Sequence, residues 1–320
     1  MNKTVLITGC SSGFGKLAAK TFSEKGWNVI ATMRSPERET ELTALDNVLV
    51  TRLDVTDADS IKDAVEEGLA RFGAIHVLVN NAGYGGHALF EQASDDAIRA
   101  MYDTNVFGVM NVTRAVLPHM RRQHEGCIIN VTSMAGMMGA PTVSVYASTK
   151  FAVEGLTEAM AIEYAPLNIS IKSVLPGAYP TTRFNANVED DLSAGGEELS
   201  TYAQRLHAHI QGVAAHMAAQ GSAAADPQEV ADKIYECATS ETPIHNPVGS
   251  DAEMLAQMKA SMPHQAFIDQ IGELALPADL VGPSCRASGH RRQFSLSNLG
   301  LSPQDIVDTY HTAAGSNTSR

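Results

Sequence analysis

The chain has 320 residues, 44% hydrophobic and 18% charged, with a formal net charge of -13. That length supports one large α/β domain or two small ones, and the composition is that of a globular protein. An acidic surface repels phosphate backbones, which argues against a nucleic-acid partner, and no stretch approaches the roughly 18 consecutive apolar residues of a membrane span.

From the start, Met1 to Val5 leads into an apolar run, Leu6-Ile7-Thr8, too short for the core of a secretory signal. The spacing predicts strands over 4–8, 29–32, 48–53, 75–79, 127–131 and 169–174. Between them, helices are expected over 16–25, 59–72, 95–101, 106–122 and 147–164, with Pro36 opening another. The strands are short apolar runs without strict alternation, which suits burial on both faces. Regular βα alternation implies a Rossmann-type doubly wound parallel sheet in three layers, α/β/α, as a single domain with a C-terminal extension. Residues 1–250 are expected to form that domain, with a substrate lid over 184–226. Helices are expected over 197–220 and from Asp226-Pro227 to about Ser240. Beyond Ala278 periodicity fades, so the extension 251–320 reads as partly ordered. Cys10, Cys127, Cys237 and Cys285 are widely spaced and show no zinc pattern. They read as reduced thiols in a cytoplasmic protein, with no metal site.

The turn after the first strand reads Gly9-Cys10-Ser11-Ser12-Gly13-Phe14-Gly15. Glycines there let backbone amides approach a phosphate-bearing ligand at a helix start. The alternative is a plain strand–helix turn. About 20 residues on, where a dinucleotide fold specific for NAD carries an acid, the chain reads Ala31-Thr32-Met33-Arg34. Arg34 can pair with a 2′-phosphate through its planar fork, so NADP is favoured over NAD, which stays possible.

Tyr146 and Lys150 stand four apart in a helical segment, on one face. A phenol with a pKa of about 10 is roughly 4 kcal/mol from its anion at neutral pH, and a neighbouring ammonium favours that anion. The pair can therefore act as a proton donor and acceptor. Ser133 follows the strand Ile128-Ile129-Asn130-Val131, at the strand end where ligands gather in open parallel sheets. Its hydroxyl can bind a substrate oxygen. Asn105, polar in an apolar helix, either holds a water that feeds protons to Lys150 or is a buried amide with a local backbone partner. Met134, Met137 and Met138 beside Ser133 suggest an adaptable apolar wall, or ordinary core filling.

Together these residues carry a resemblance. Thr8-Gly9-x-x-x-Gly13-x-Gly15, Asp54-Val55, Asn80-Asn81-Ala82-Gly83, Asn105, Ser133, Tyr146-x-x-x-Lys150 and Pro176-Gly177 resemble a classical short-chain dehydrogenase/reductase over Lys3 to about Asn246. The resemblance implies a usually seven-stranded sheet and an Asn105–Ser133–Tyr146–Lys150 tetrad. It implies a cofactor site of Gly9, Ser11, Ser12, Gly13, Phe14, Gly15, Arg34, Asp54, Val55, Asn81, Ala82, Gly83, Tyr146, Lys150, Pro176, Gly177 and Thr181. Within it Asp54 would meet the adenine amino group, Asn81 would lie along the cofactor, and Thr181 or Thr182 would sit near the carboxamide. Pro180 departs from the pattern and can shift that threonine. The function implied is hydride transfer between the nicotinamide and a small, apolar alcohol or ketone, with Tyr146 as general acid/base. A dinucleotide-sensing protein without chemistry is the alternative. An epimerase or dehydratase of nucleotide sugars usually opens with a G-x-x-G-x-x-G that this chain lacks. The helices over 106–122 and 147–164 are apolar on more than one side, and in the resembled family they pair into a dimer, with a tetramer next.

Overall fold

The structure is a computed structural model and describes residues 2–179, 192–220, 226–277 and 280, with backbone alone over 214–220. Thr181, Thr182, Cys285, part of the expected lid and the tail after Leu280 lie outside the described residues.

Seven strands form one wholly parallel sheet: β1 (Thr4–Thr8), β2 (Asn28–Met33), β3 (Val48–Arg52), β4 (Val77–Asn80), β5 (Gly126–Val131), β6 (Ile169–Pro176) and β7 (His245–Val248). Their order is β3-β2-β1-β4-β5-β6-β7, so the chain winds one way from β1 and then reverses at β4. A crevice opens where that direction switches, at the carboxyl ends of β1 and β4. The helices are α1 (Gly13–Glu24), α2 (Ala58–Phe72), α3 (Asp95–Tyr102), α4 (Gly108–Gln123), α5 (Ser144–Tyr164), α6 (Glu197–Gln220), α7 (Gln228–Thr239), α8 (Ser250–Ser261) and α9 (His264–Ala275).

Successive side chains on a strand point to opposite faces, and this splits the core in two. Val5, Ile7, Val29 and Ala31 pack against Phe22 of α1 and Val230 and Ile234 of α7. Leu6, Ile30, Leu78 and Ile128 face Ile61 of α2, Val112 and Val116 of α4, and Met160 of α5. Phe22 is fully buried and stands edge-on to Trp27 and Tyr235. Truncating it to alanine would cost about 3–5 kcal/mol. The helix ends follow local chemistry: the Asp57 carboxylate accepts from the Asp59 and Ser60 amides at the start of α2, and Gly73, at φ +81°, closes it.

The sheet is the doubly wound one that the alternation implies. Three local features differ from expectation. Pro36 opens only a 3₁₀ turn, Pro36–Arg38, because the Glu39 carboxylate reaches forward to the amides of Glu41 and Leu42 and starts a second turn there. A π-helical turn, Asp103–Phe107, joins α3 to α4. Beyond residue 240, β7 adds an edge strand, and α8 and α9 pack Leu255, Phe267 and Ile271 with Met134, Met138, Met258 and Met262.

Candidate active site

Most segments expected to make a site follow the carboxyl ends of the strands, while Asn105, Tyr146 and Lys150 lie on helical segments. After β1, Gly9 takes φ +76° and Gly13 φ +56°, backbone that glycine adopts without strain. A Cβ on Gly15 would stand 2.4 Å from the Gly9 carbonyl oxygen and 2.5 Å from Asn81 Nδ2, so only glycine lets α1 start so close to β4. A Cβ on Gly13 would meet nothing within 4 Å. Ser12 is the N-cap residue of α1 but makes no side-chain cap, and the first turn carries no acid. The amides and positive dipole end of α1 are thus available to an anion. This cradle fits a dinucleotide's phosphates. Ser11 is exposed and Phe14 packs edge-on against Tyr179, 5.3 Å between ring centres.

Asn81 sits at the end of β4 and ties it to β1: its Nδ2 donates to the Thr8 carbonyl at 2.8 Å, and the Asn81 and Ala82 amides donate to Thr8 Oγ1. Arg34, directly after β2, is exposed. Asp54, after β3, accepts at Oδ1 from the Thr56 amide and hydroxyl. Val55 is buried against Gly108, where a Cβ would come within 2.6 Å of it.

The residues expected to react lie between β5 and α5. Ser133 follows β5 and accepts from the Ala135 amide at 3.1 Å. It also shares a hydrogen bond with the Tyr146 phenol. Burial pushes that phenol up to about 12, against the lowering effect of Ser133. Lys150 is buried and its Nζ donates to the Val131 carbonyl at 3.2 Å. Burial pulls its ammonium down to about 8, opposed by the Glu154 charge. An ammonium so enclosed, with one hydrogen bond among the described residues, has donors left for a ligand hydroxyl.

Asn105 lies in the π-helical turn and is buried. Its Oδ1 accepts from the Tyr84 amide at 3.1 Å, and its Nδ2 donates to the Tyr84 carbonyl at 2.8 Å and to Thr149 Oγ1 at 3.2 Å. The side chain therefore has a backbone partner in Tyr84, 21 residues away along the chain, and pins the loop after Gly83 to α5. A Cβ on Gly83 would lie 3.1 Å from Asn105 Oδ1 and 3.6 Å from Lys150 Nζ, so Gly83 keeps that corner open.

At the end of β6, the Gly177 amide donates to the Val248 carbonyl, and the Ala178 amide donates to Asp251 Oδ2 at 2.8 Å. Asp251, absent from the sequence reading, clamps the strand end to α8. The reading also omitted Glu154 and Thr142. Thr142 holds φ +64°, strained for a β-branched residue, while its carbonyl accepts from the Ala88 amide. Glu154 stood in plain view, four residues past Lys150 on the same helix face. Met134 and Met138 belong to the apolar cluster with α8 and α9, so any wall they form is made jointly with those helices.

The short chain dehydrogenase family model matches residues 3–193. An uncharacterized oxidoreductase of Bacillus subtilis is 36% identical over 279 residues, 83% of this chain and 96% of its own. A 3-ketodihydrosphingosine reductase of Bacteroides thetaiotaomicron is 42% identical over 177 residues, 55% of this chain and 64% of its own. Among solved structures, a short-chain dehydrogenase from Streptomyces avermitilis superposes with a TM-score of 0.71 at 31% identity, covering 86% of this chain and 98% of that one. ElxO with NADP bound gives 0.65 at 28%, covering 79% and 100%, and a Brucella melitensis 3-ketoacyl-(acyl-carrier-protein) reductase complexed with NADH gives 0.64 at 26%, covering 78% and 98%.

Proposed function

The chain belongs to the short-chain dehydrogenase family, and we propose that it is an oxidoreductase passing a hydride between a nicotinamide dinucleotide and a small, apolar alcohol or ketone. The observation that carries this is the grouping of Ser133, Tyr146 and Lys150 beside a phosphate-ready helix start. The dinucleotide, when bound, gives or takes the hydride at the substrate carbon. Ser133 binds the substrate oxygen. Tyr146 moves the proton on that oxygen, and its burial keeps the phenol protonated, the state a carbonyl reduction needs. Lys150 supplies positive charge and a donor to the nicotinamide ribose. Asn105 acts as a positioning residue through Tyr84 and Thr149.

Gly9, Ser11, Ser12, Gly13, Phe14 and Gly15 would hold the phosphates, with Asp54 and Val55 at the adenine, Asn81, Ala82 and Gly83 along the cofactor, and Pro176 and Gly177 near the nicotinamide. Arg34 favours NADP, although similar proteins bind either dinucleotide. An apolar ketone agrees with the methionines beside Ser133 and with a relative named for a keto-lipid reduction. We place the catalytic domain at 1–250, the lid at 184–226 and the extension at 251–320.

Among the described residues no helix is long and apolar enough to cross a membrane. Cys10, Cys127 and Cys237 are free and buried, which agrees with a cytoplasmic location. Exposed Phe107, Phe151 and Ile162 on and beside α4 and α5 suit a homodimer.

The test is NADPH absorbance against a panel of apolar ketones. Bleaching by the wild type, lost in Tyr146→Phe, supports the proposal. Binding of NADPH with no turnover of any ketone or alcohol would favour the sensing reading.

A further inference from the structure

One turn below Lys150 on α5, Glu154 is buried at 6% exposure. Its Oε1 accepts from the Thr132 hydroxyl, and its Oε2 accepts from Ser173 Oγ at 2.9 Å. The same oxygen lies 2.7 Å from His245 Nδ1, and the other ring nitrogen, Nε2, lies 2.9 Å from Glu158 Oε1. Close approach of α5 here depends on Gly136, where a Cβ would stand 2.9 Å from Glu154 Cγ.

Each ring nitrogen of His245 faces a carboxylate oxygen, which can only accept, and Nδ1 also lies 3.2 Å from Ser173 Oγ, a hydroxyl that donates to Glu154. Both carboxylate contacts are therefore hydrogen bonds at once only when the ring is an imidazolium. The two carboxylates correspondingly raise its pKa above the ordinary value, the Glu154 hydrogen bond most. His245 is half-exposed and reaches solvent, whereas the Glu154 carboxylate is enclosed. Among the described residues the charged groups acting on His245 are Glu154 and Glu158, and the one acting on Lys150 is Glu154. Thr132, which Glu154 holds, lies between Val131, whose carbonyl takes Lys150, and Ser133.

We propose that Glu154 is a positioning residue for the reaction, which keeps Lys150 charged and fixes the Val131–Ser133 segment, and that His245 sets how much of its charge Lys150 feels. This rests on the reading of Lys150 as part of the active site. Below its titration, His245 is a cation and offsets Glu154. As pH rises His245 loses its proton, and the Glu154 charge falls on Lys150 in the range where burial would otherwise discharge it. Lys150 thus stays an ammonium further into the alkaline range than its enclosure alone allows.

The experiment follows the Lys150 amine by the ¹³Cε shift of labelled lysine in the free protein, assigned with Lys150→Arg, alongside the pH profile of NADPH oxidation. Glu154→Gln keeps the shape and removes the charge. Its Lys150 midpoint should fall by about one pH unit, the low end for losing a nearby opposite charge. His245→Arg places a permanent cation at a half-exposed site and should also lower the midpoint, with Glu154 untouched, so it decides the matter if Glu154→Gln does not fold. His245→Gln should not lower it. An unchanged midpoint in His245→Arg and in a folded Glu154→Gln overturns the inference. A lowered midpoint with no matching shift in the alkaline limb of turnover supports the coupling and instead overturns the catalytic reading of Lys150.

Discussion

The Lys150 ammonium lies 5.6 Å from the centre of the Tyr146 ring, one helical turn along α5. It is held there by the Val131 carbonyl rather than by the phenol oxygen. Tyr146 and Lys150 are thus separable by mutation. Tyr146→Phe should lower turnover by at least the 10²–10⁴ typical of a lost general acid, with cofactor affinity kept. Ser133→Ala should cost turnover with little change in affinity, whereas Lys150→Ala should weaken both. Cofactor titration with steady-state kinetics checks all three. If Tyr146→Phe keeps more than about a tenth of wild-type turnover, Tyr146 is not the acid.

Burial of Lys150 also has a cost in stability, with a definite pH window. Its pKa falls from 10.5 in the unfolded chain to about 8 in the folded one. Between those values the unfolded state binds more protons, so this group's contribution to stability rises with pH from 8 to 10.5 and its full cost applies below 8. Relative to Lys150→Met, the wild type should gain on the order of 3 kcal/mol across that window. Urea unfolding of both proteins at several pH values measures it. A constant difference would show that Lys150 is not desolvated as described.

Arg34 is exposed at the end of β2, with no acid before Glu37. Arg34→Leu should weaken NADP binding by about 1.5–3 kcal/mol, the range for a lost charge-assisted contact, and leave NAD nearly unchanged. Equal losses for the two cofactors would remove Arg34 from the site.

Gly177 and Asp251 form a mutually dependent pair. A Cβ on Gly177 would lie 1.8 Å from Asp251 Oδ1, and that carboxylate is tied to the Ala178 and Ala252 amides. Gly177→Ala should therefore displace Asp251 and cost about 1.5–3 kcal/mol, as lost hydrogen bonds to a charged group do. Adding Asp251→Ala should cost less than the two single changes summed, a coupling that thermal unfolding of the four proteins would reveal. Strict additivity would mean that the clash is relieved elsewhere.

Phe107 is 51% and Ile162 76% exposed, beside and on helices expected to pair with a second copy. Ile162→Asp combined with Phe107→Asp should shift a dimer toward monomer in light scattering at micromolar concentration. A wild-type monomer under those conditions would dismiss the dimer.

Most of the sheet was legible because buried parallel strands are written as unbroken apolar runs, Val5-Leu6-Ile7 and Val77-Leu78-Val79 among them. β7 was not, since His245-Asn246-Pro247-Val248 lacks that signature; an edge strand tolerates proline and polar side chains that a central one does not. The glycine turn, Ser133 and the Tyr146/Lys150 pair stand out in the sequence because the chemistry proposed for them depends on spacing along the chain. Glu154 with His245, and Gly177 with Asp251, depend on contacts across 91 and 74 residues, which local pattern does not encode. The π-helical turn at Asn105 was equally hidden, because its residues suit an α-helix as well.

The place of β7 in the chain also sets an order of events during synthesis. β6 pairs on one side with β5 and on the other with a strand that begins at His245. Until the ribosome has released that strand, β6 presents an open edge, and the Glu154 carboxylate lacks its His245 partner. The Gly-rich turn, Ser133, Tyr146 and Lys150 are all made long before. A nascent chain can therefore possess every residue proposed to react while the floor beneath Lys150 is still unfinished, and Asp251, which fixes the end of β6, arrives later still.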